Sequence, residues 1–173
     1  MTDTQKKPLW KNELVWLFLI TSGLFAILYS KFILGGYAYV FTDTGADTMQ
    51  INYAQYGLFS SLFRSGESGY VLQAGLGMDV SSYYPAYLIP YNLLILLAPQ
   101  RLLPWAVLAS AYLKMITISL VGYLFYRKLM QDGIGTMAAA LAWTFSGYVI
   151  LWGQHYGFCT CMALFTVFMY FCL

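Results

Sequence analysis

The chain has 173 residues, of which 60% are hydrophobic and only 9% are charged. Soluble domains carry about 25% charged residues, so this composition excludes an ordinary soluble enzyme and predicts an all-α, polytopic membrane protein. The net charge is +2 and the basic residues are dispersed. A nucleic-acid partner is therefore not expected.

The N-terminus predicts an uncleaved first membrane span. Lys6, Lys7 and Lys11 precede an apolar run over residues 14–34. A signal peptide has an apolar core of about 7–15 residues and a small-residue cleavage motif after it, and this run fits neither requirement. Because basic flanks stay in the cytoplasm, segment 1–13 is expected on that side.

A long polar and aromatic segment, residues 35–102, is predicted to be a large extracytoplasmic loop. Within it Tyr56, Phe59 and Phe63 follow the i, i+3, i+7 spacing of an amphipathic helix over 53–63. Such a helix is expected to lie in the membrane interface. The stretch that follows, from Arg64 onward, is rich in Gly and Ser and predicts the end of that helix.

Residues 83–98 leave two topologies open. If this apolar stretch crosses the membrane, Arg127 and Lys128 lie outside, against the positive-inside bias. If it is re-entrant or interfacial, they lie in the cytoplasm. Pro85 and Pro90, together with a length below the roughly 20 residues of a span, favour the re-entrant interpretation.

The rest of the chain predicts three further spans. In order, the expected segments are a span (103–126), a cytoplasmic loop (127–133), a span (134–152), a short extracytoplasmic loop (153–157) and a fourth span (158–173). The last run has no polar flank, so we expect an N-terminal fragment of a larger protein.

Carboxylates are scarce in this chain, which has seven Asp and Glu residues, and this makes Asp43 and Asp47 the candidate catalytic residues. Gln50, Asn52 and Tyr53 follow closely and are candidate substrate contacts. A carboxylate at a membrane mouth can act as a general base or hold a divalent cation. Alternatively, Asp47 caps a helix with Gln50 as its capping-box partner, and the two roles can coexist.

Lys114 lies in the middle of the predicted second span. A charge there costs at least about 2.5 kcal/mol on insertion scales. It is therefore expected to face the bundle interior, against Ser110 or Thr117 of its own helix. It is a candidate counter-ion for a bound phosphate or carboxylate, and a structural pair with another part of the protein is the alternative.

Two further side chains are candidate substrate contacts. His155 is the only histidine and lies in the short loop 153–157. A lone loop histidine is more often incidental than functional. Arg64 could bind a phosphate, but anchoring in the membrane interface explains it equally well.

Several short motifs point to a family. They are DTGADTMQ (43–50), QAGLGMD (73–79), YYPAYLIPYNLL (83–94), the pair Leu113-Lys114 and ALAWTFSGY (140–148). Together they resemble the YfhO family of bacterial membrane proteins in the GT-C glycosyltransferase superfamily. The sequence departs from the family pattern at Asp79, where Asn is usual, and at Ile89, where a small residue is usual.

The resemblance implies a glycosyltransferase in the bacterial plasma membrane. Such an enzyme takes a sugar from a polyprenyl-phosphate donor and passes it to an envelope polymer or lipid on the extracytoplasmic face. An acidic residue of the first outer loop then acts as base or metal ligand, a role that falls on Asp47 or Asp43, with Asp47 favoured. The alternatives are a transporter or flippase module for lipid-linked substrates, and a non-catalytic membrane scaffold.

Overall fold

A computed structural model describes residues 12–40, 48–67, 69–72, 77–79, 81, 89–130 and 132–173. In this part of the chain the fold is all-α apart from one short hairpin, as the composition predicts. The α-helices are α1 (Glu13–Leu28), α2 (Ser30–Leu34), α3 (Ala54–Ser65), α4 (Leu93–Leu97), α5 (Leu103–Leu129), α6 (Gly133–Thr144), α7 (Gly147–Trp152) and α8 (Tyr156–Cys172).

Shorter elements fill the connection between α2 and α5. A π-helix (Thr48–Tyr53) leads directly into α3, and 3-10 turns (Pro90–Asn92 and Gln100–Leu102) precede α4 and α5. Strands β1 (Tyr70–Val71) and β2 (Met78–Asp79) form the hairpin; they pair antiparallel, with Tyr70 opposite Asp79.

The long helix α5 is the centre of the bundle, and α1 packs against it in the opposite direction. The hydroxyls of Thr21 and Ser119 are 2.7 Å apart, and those of Ser22 and Tyr112 are 2.8 Å apart. Residue numbers rise along α1 while those of the partners fall along α5, so the two helices are antiparallel. Polar pairs of this kind hold helices together where both sides of the interface are apolar.

Helix α8 packs against α5 in the same direction. Lys114 Nζ donates to the Tyr156 carbonyl at 3.1 Å, and Lys128 Nζ donates to the Tyr170 carbonyl at 2.8 Å. Each tyrosine follows its lysine by 42 residues, so the two helices run parallel in one register. The two contacts are about 21 Å apart along the axis, at 1.5 Å per residue.

The predicted span 134–152 is not one helix. It is divided into α6 and α7 at Ser146, whose backbone is extended (φ −60°, ψ 154°). The division follows from the Phe-Ser-Gly sequence at 145–147, because adjacent Ser and Gly are common sites of helix interruption. Trp143 Nε1 donates to Thr166 Oγ1 at 3.0 Å and ties α6 to α8.

The predicted span 14–34 is divided as well. Helix α1 ends at Leu28, and Tyr29 (φ −101°, ψ 17°) separates it from α2. The Tyr29 ring stacks on Phe25 at 4.3 Å and meets Tyr39 edge-on at 5.2 Å. Neither Gly nor Pro occurs at this point of the sequence, so no residue type there signals the break.

The bundle has two distinct ends. At the Glu13 end, the Tyr123 hydroxyl donates to the Glu13 carboxylate, and Arg127 and Lys128 lie in the last turn of α5. Asp132 caps α6 there, accepting from the Gly135 amide at 2.6 Å. The opposite end, called the loop end below, carries residues 29–40, 48–67, 89–102 and 153–156.

The helix predicted over 53–63 is present as α3, which lies at the loop end. Tyr56, Phe59 and Leu62 are buried against the protein, while Phe63 is exposed. The placement of this helix in the membrane interface stays a prediction. Ser60 Oγ donates to the Ala98 carbonyl at 2.7 Å and fixes α3 against the end of α4.

By length and composition alone, two helical stretches of the described chain could cross a membrane. They are Gln100–Leu129, which includes a 3-10 turn and α5, and Gly133–Trp152, which includes α6 and α7. In the first stretch, half of the most apolar 18-residue segment is buried inside the protein, whereas in the second only 22% of the corresponding segment is buried. Helices α1 and α8 are apolar but shorter.

Candidate functional site

The two candidate catalytic residues, Asp43 and Asp47, lie outside the described residues. Thr48, which follows Asp47 in the chain, is fully buried. Its Oγ1 donates to the Gln154 carbonyl at 3.2 Å. The start of the π-helix is therefore fixed on the turn between α7 and α8, and the two segments predicted as outer loops meet at the loop end.

The candidate substrate contacts on the π-helix differ in exposure. Gln50 is exposed, whereas Asn52 and Tyr53 are half-buried. Tyr53 packs against the main core cluster, and burial raises the pKa of its phenol. Tyr53 therefore stays neutral near pH 7, where it can donate a hydrogen bond but cannot act as a base.

Buried tyrosines form a layer beneath these loops. The Tyr156 hydroxyl donates to the Tyr39 backbone carbonyl, and the Tyr56 ring stacks on Tyr156 at 5.4 Å. The Tyr56 hydroxyl donates to Asn92 Oδ1 at 3.4 Å. Burial raises the pKa of Tyr39, so this phenol is also neutral at physiological pH.

Lys114 lies below the tyrosine layer and is only 2% exposed. It faces the interior, as the sequence predicts, but the predicted partners were wrong. Its ammonium donates to the Tyr156 carbonyl of α8, while Thr117 donates to the Leu113 carbonyl of its own helix. Ser110 has no hydrogen-bond partner among the described residues.

His155 lies at the edge of the site rather than within it. Its ring is 5.6 Å from that of Trp152 and 5.7 Å from that of Phe158. Trp152 and Phe158 are both partly exposed. The group is an aromatic patch on the outside of the α7–α8 turn, so His155 shares an end of the bundle with Lys114 but belongs to a different surface.

Arg64 is exposed and lies in the last turn of α3. Its Nε donates to the Ser60 carbonyl at 3.2 Å. Because α3 starts at the Tyr56 side, Arg64 is roughly 12 Å further along the helix axis, at 1.5 Å per residue. It therefore lies away from the tyrosine layer, beyond a smaller core cluster that includes Phe59 and Leu62.

Asp79, one of the acids of the predicted outer loop, lies in the hairpin and is exposed. Its carboxylate accepts from the hydroxyl and the amide of Ser81 at 2.6 and 3.0 Å. These hydrogen bonds hold the pKa of Asp79 below its usual value. Within the described ranges, no group of three or more His, Cys, Asp and Glu could hold a metal ion.

Several residues of this site escaped the sequence interpretation. Asn92 carried a usable signal, since a buried amide between Pro90 and the apolar run 93–97 calls for a hydrogen-bond partner. Tyr39 and Tyr156 carried none, because tyrosines are abundant in this chain and most suit a membrane interface equally well.

Comparison of the chain with protein-family models, with characterised proteins and with solved structures finds no match.

Proposed function

We propose that this chain belongs to a polytopic membrane glycosyltransferase of the GT-C type. Its surface supports the membrane environment, because large apolar side chains are exposed along whole helices. On α1, Ile27 is 71% exposed, and on α8, Phe168 is 63% and Phe171 is 78% exposed. Contiguous apolar surface on this scale is unfavourable in water and requires a covering, which a bilayer supplies.

The orientation follows from the charges at the two ends. Arg127 and Lys128 lie at the Glu13 end, and Lys6, Lys7 and Lys11 precede α1 in the sequence. The loop end has Lys31, Arg64 and Arg101. The larger number of basic residues on the Glu13 side favours a cytoplasmic position for that end and an outer position for the loop end. Helix α4 has only five residues, far fewer than the roughly 20 of a span. A re-entrant or interfacial placement of this segment agrees with that orientation.

One observation carries the proposed activity: Lys114 is buried directly below the point where the segment after Asp47 is fixed. Its ammonium contacts the Tyr156 carbonyl, and the carbonyl of Gln154, two residues earlier, accepts from Thr48 through a separate hydrogen bond. A phosphate that entered from the loop end would meet a positive charge in a low-dielectric interior, where charge interactions are strong.

The proposed reaction is a single displacement at the anomeric carbon of the donor sugar. The acceptor hydroxyl attacks this carbon, and a new glycosidic C–O bond forms as the bond to the phosphate oxygen breaks. Asp47 takes the proton of the acceptor hydroxyl. The electron pair leaves with the polyprenyl phosphate, whose added negative charge is offset by Lys114.

Sugar transfer in membranes from cells that express the protein tests the activity. The donors are a panel of polyprenyl-phosphate hexoses, and Asp47→Asn and Asp43→Asn are compared with the wild type. We expect Asp47→Asn to lower the rate by a factor of about 100 or more, as for loss of a general base. Asp79→Asn is the matched control, since this exposed carboxylate lies in the hairpin and accepts hydrogen bonds from Ser81. Wild-type rates in both the Asp43 and the Asp47 variant contradict the assignment.

Cysteine labelling with a membrane-impermeant reagent tests the orientation. Arg127→Cys and His155→Cys are made in a background that lacks Cys159, Cys161 and Cys172. Labelling of position 155 from outside, together with protection of position 127, is the expected result. The reverse pattern overturns the proposed orientation.

A further inference from the structure

Most buried hydroxyl side chains in the described helices have a hydrogen-bond partner, and Ser110 has none. Many helical Ser and Thr hydroxyls donate to the carbonyl four residues earlier, among them Ser22 to Phe18, Thr117 to Leu113, Thr136 to Asp132, Thr144 to Ala140, Thr160 to Tyr156 and Thr166 to Met162. Ser110 is fully buried in the first third of α5. Among the buried side-chain N and O atoms of the described residues, only its Oγ and that of Ser146, at the break between α6 and α7, have no hydrogen-bond partner.

Ser110 and Lys114 belong to one face of α5. Residues four apart in a helix are neighbours on its surface, and both side chains are buried. A long helical side chain leans toward the helix N-terminus, so the stem of Lys114 runs over the turn that carries Ser110. The N-terminus of α5 is at the loop end, so Ser110 lies one turn nearer that end than Lys114, whose ammonium reaches the Tyr156 carbonyl at the start of α8.

Lys114 also has hydrogen-bonding capacity left over. An ammonium has three donors, and the described residues supply one acceptor, the Tyr156 carbonyl. That carbonyl also accepts from Thr160 Oγ1 at 3.2 Å. No carboxylate of the described chain pairs with Lys114, so a positive charge and a neighbouring hydroxyl lie together in the interior without an anion.

A pair of this kind is unfavourable for stability. A buried hydroxyl without an acceptor destabilises a fold, and a buried charge without a counter-ion does so more strongly. An Ala at position 110 would avoid the first cost without leaving a large cavity. Groups retained at a cost in stability are typical of binding sites.

We propose that Ser110 is a ligand-binding residue whose hydroxyl, together with the Lys114 ammonium, binds a phosphate group that enters from the loop end. A phosphate has several acceptor oxygens, so it can take a hydrogen bond from each donor at the same time. The inference rests on the proposed function, in which the phosphate is that of the polyprenyl donor. A free phosphate has the same recognition chemistry, and the experiment separates the two.

Binding to the purified protein in detergent is measured with three probes: decaprenyl phosphate, decaprenol and inorganic phosphate. Ser110→Ala and Lys114→Met are compared with the wild type. Thr117→Val is the matched control, because it removes a hydroxyl of the same helix that already donates to Leu113. We expect Ser110→Ala to weaken binding of decaprenyl phosphate about tenfold, as for loss of one hydrogen bond to a charged group, and the control to bind as the wild type does.

The stability of the protein without ligand is the second readout. Ser110→Ala is expected to keep or raise the melting temperature while it weakens binding, whereas loss of a merely structural hydrogen bond would lower the melting temperature. Wild-type affinity in Ser110→Ala overturns the inference, whatever its melting temperature. Equal affinity for decaprenol and decaprenyl phosphate also overturns it, since it shows recognition of the chain alone.

The remaining outcomes separate this inference from the proposed function. Binding of inorganic phosphate that depends on Ser110, without binding of the lipid, supports the site and assigns it to a free anion. If phosphate binding depends on Ser110 but the protein shows no sugar transfer, the binding site is supported and the glycosyltransferase activity is rejected. If Ser110→Ala transfers sugar with an unchanged KM for the donor, the binding role of Ser110 is rejected and the glycosyltransferase activity is supported. If Lys114→Met does not fold, Ser110→Ala carries the test.

Discussion

The α5–α8 interface makes the same contact at two levels, and the two levels differ in their surroundings. At each level a lysine of α5 donates to the backbone carbonyl of a tyrosine in α8. Lys128 does so at an exposed position, with its Nζ also 4.1 Å from the centre of the Tyr170 ring. Lys114 does so in the interior, where it is 2% exposed.

The comparison shows that the same hydrogen bond differs in its energetic cost between an exposed and a buried lysine. An exposed lysine keeps most of its hydration, so its contact adds a small stabilisation at little cost. A buried lysine gives up its hydration, and one carbonyl does not replace it. Lys128 is therefore explained as an anchor between two helices, whereas for Lys114 we propose an additional role in binding an anion.

The largest expected effect separates the two lysines by activity. Lys114→Met should lower sugar transfer by a factor of about 100 or more, the usual cost of removing one group that stabilises a developing negative charge. Lys128→Met should leave the rate unchanged. Initial rates in membranes, normalised to the amount of protein, check this. Equal rates of sugar transfer in the two variants would contradict the different roles assigned to Lys114 and Lys128.

The second prediction compares the two tyrosines. The buried Tyr156 hydroxyl donates to the Tyr39 carbonyl, so Tyr156→Phe leaves a buried carbonyl with one donor fewer. We expect a loss of about 1–2 kcal/mol in the free energy of unfolding. Tyr170→Phe keeps the ring beneath Lys128 and should cost less than about 0.5 kcal/mol. Reversible unfolding in mixed detergent micelles measures both, and similar losses would argue against a special role of the buried level.

The third prediction uses the α1–α5 interface as an uncharged reference. A double-mutant cycle with Thr21→Val and Ser119→Ala isolates the hydroxyl pair at 2.7 Å. The coupling energy should be about 0.6 kcal/mol, the average for hydrogen bonds between membrane helices. A coupling near zero would mean that the pair is replaced by bonds to backbone carbonyls when one member is removed.

A similarly small effect is expected for Lys128 itself. Lys128→Met removes an exposed hydrogen bond and a cation–π contact, which together contribute about 0.5–1 kcal/mol at most at a surface site. Lys128→Arg should retain most of this stabilisation. Unfolding under the same conditions measures both variants. A loss above about 2 kcal/mol in Lys128→Met would show that the exposed level is also a principal support of the bundle.

Some of the fold could be predicted because the signals are local. The apolar run 103–126 predicts a helix that the structure extends to Leu129, since hydrophobicity and length act along the chain itself. The interior position of Lys114 also follows from the sequence, because the cost of a charge in an apolar surrounding does not depend on the partner. The catalytic role of Asp47 stays a prediction, since this residue lies outside the described part of the chain.

What could not be predicted depends on residues far apart in sequence. Tyr29, at the break after α1, packs against Tyr39 beyond the end of α2, and the partner of Lys114 lies 42 residues away. Sequence distance says nothing about which carbonyl a flexible lysine reaches. For the same reason, the expected pairing with Ser110 or Thr117 named the nearest hydroxyls and missed the one backbone acceptor that α8 supplies.

The amino-acid sequence by itself determined that this chain is helical, apolar and short of charge, and that a charge within a span is costly. These properties depend on composition and on neighbours within one helix. Only the tertiary structure decided that α5 and α8 run parallel, that Ser110 lacks a partner and that the segment after Asp47 is fixed above Lys114. Such facts arise from packing between separate elements, where the geometry of each contact is set by all the others.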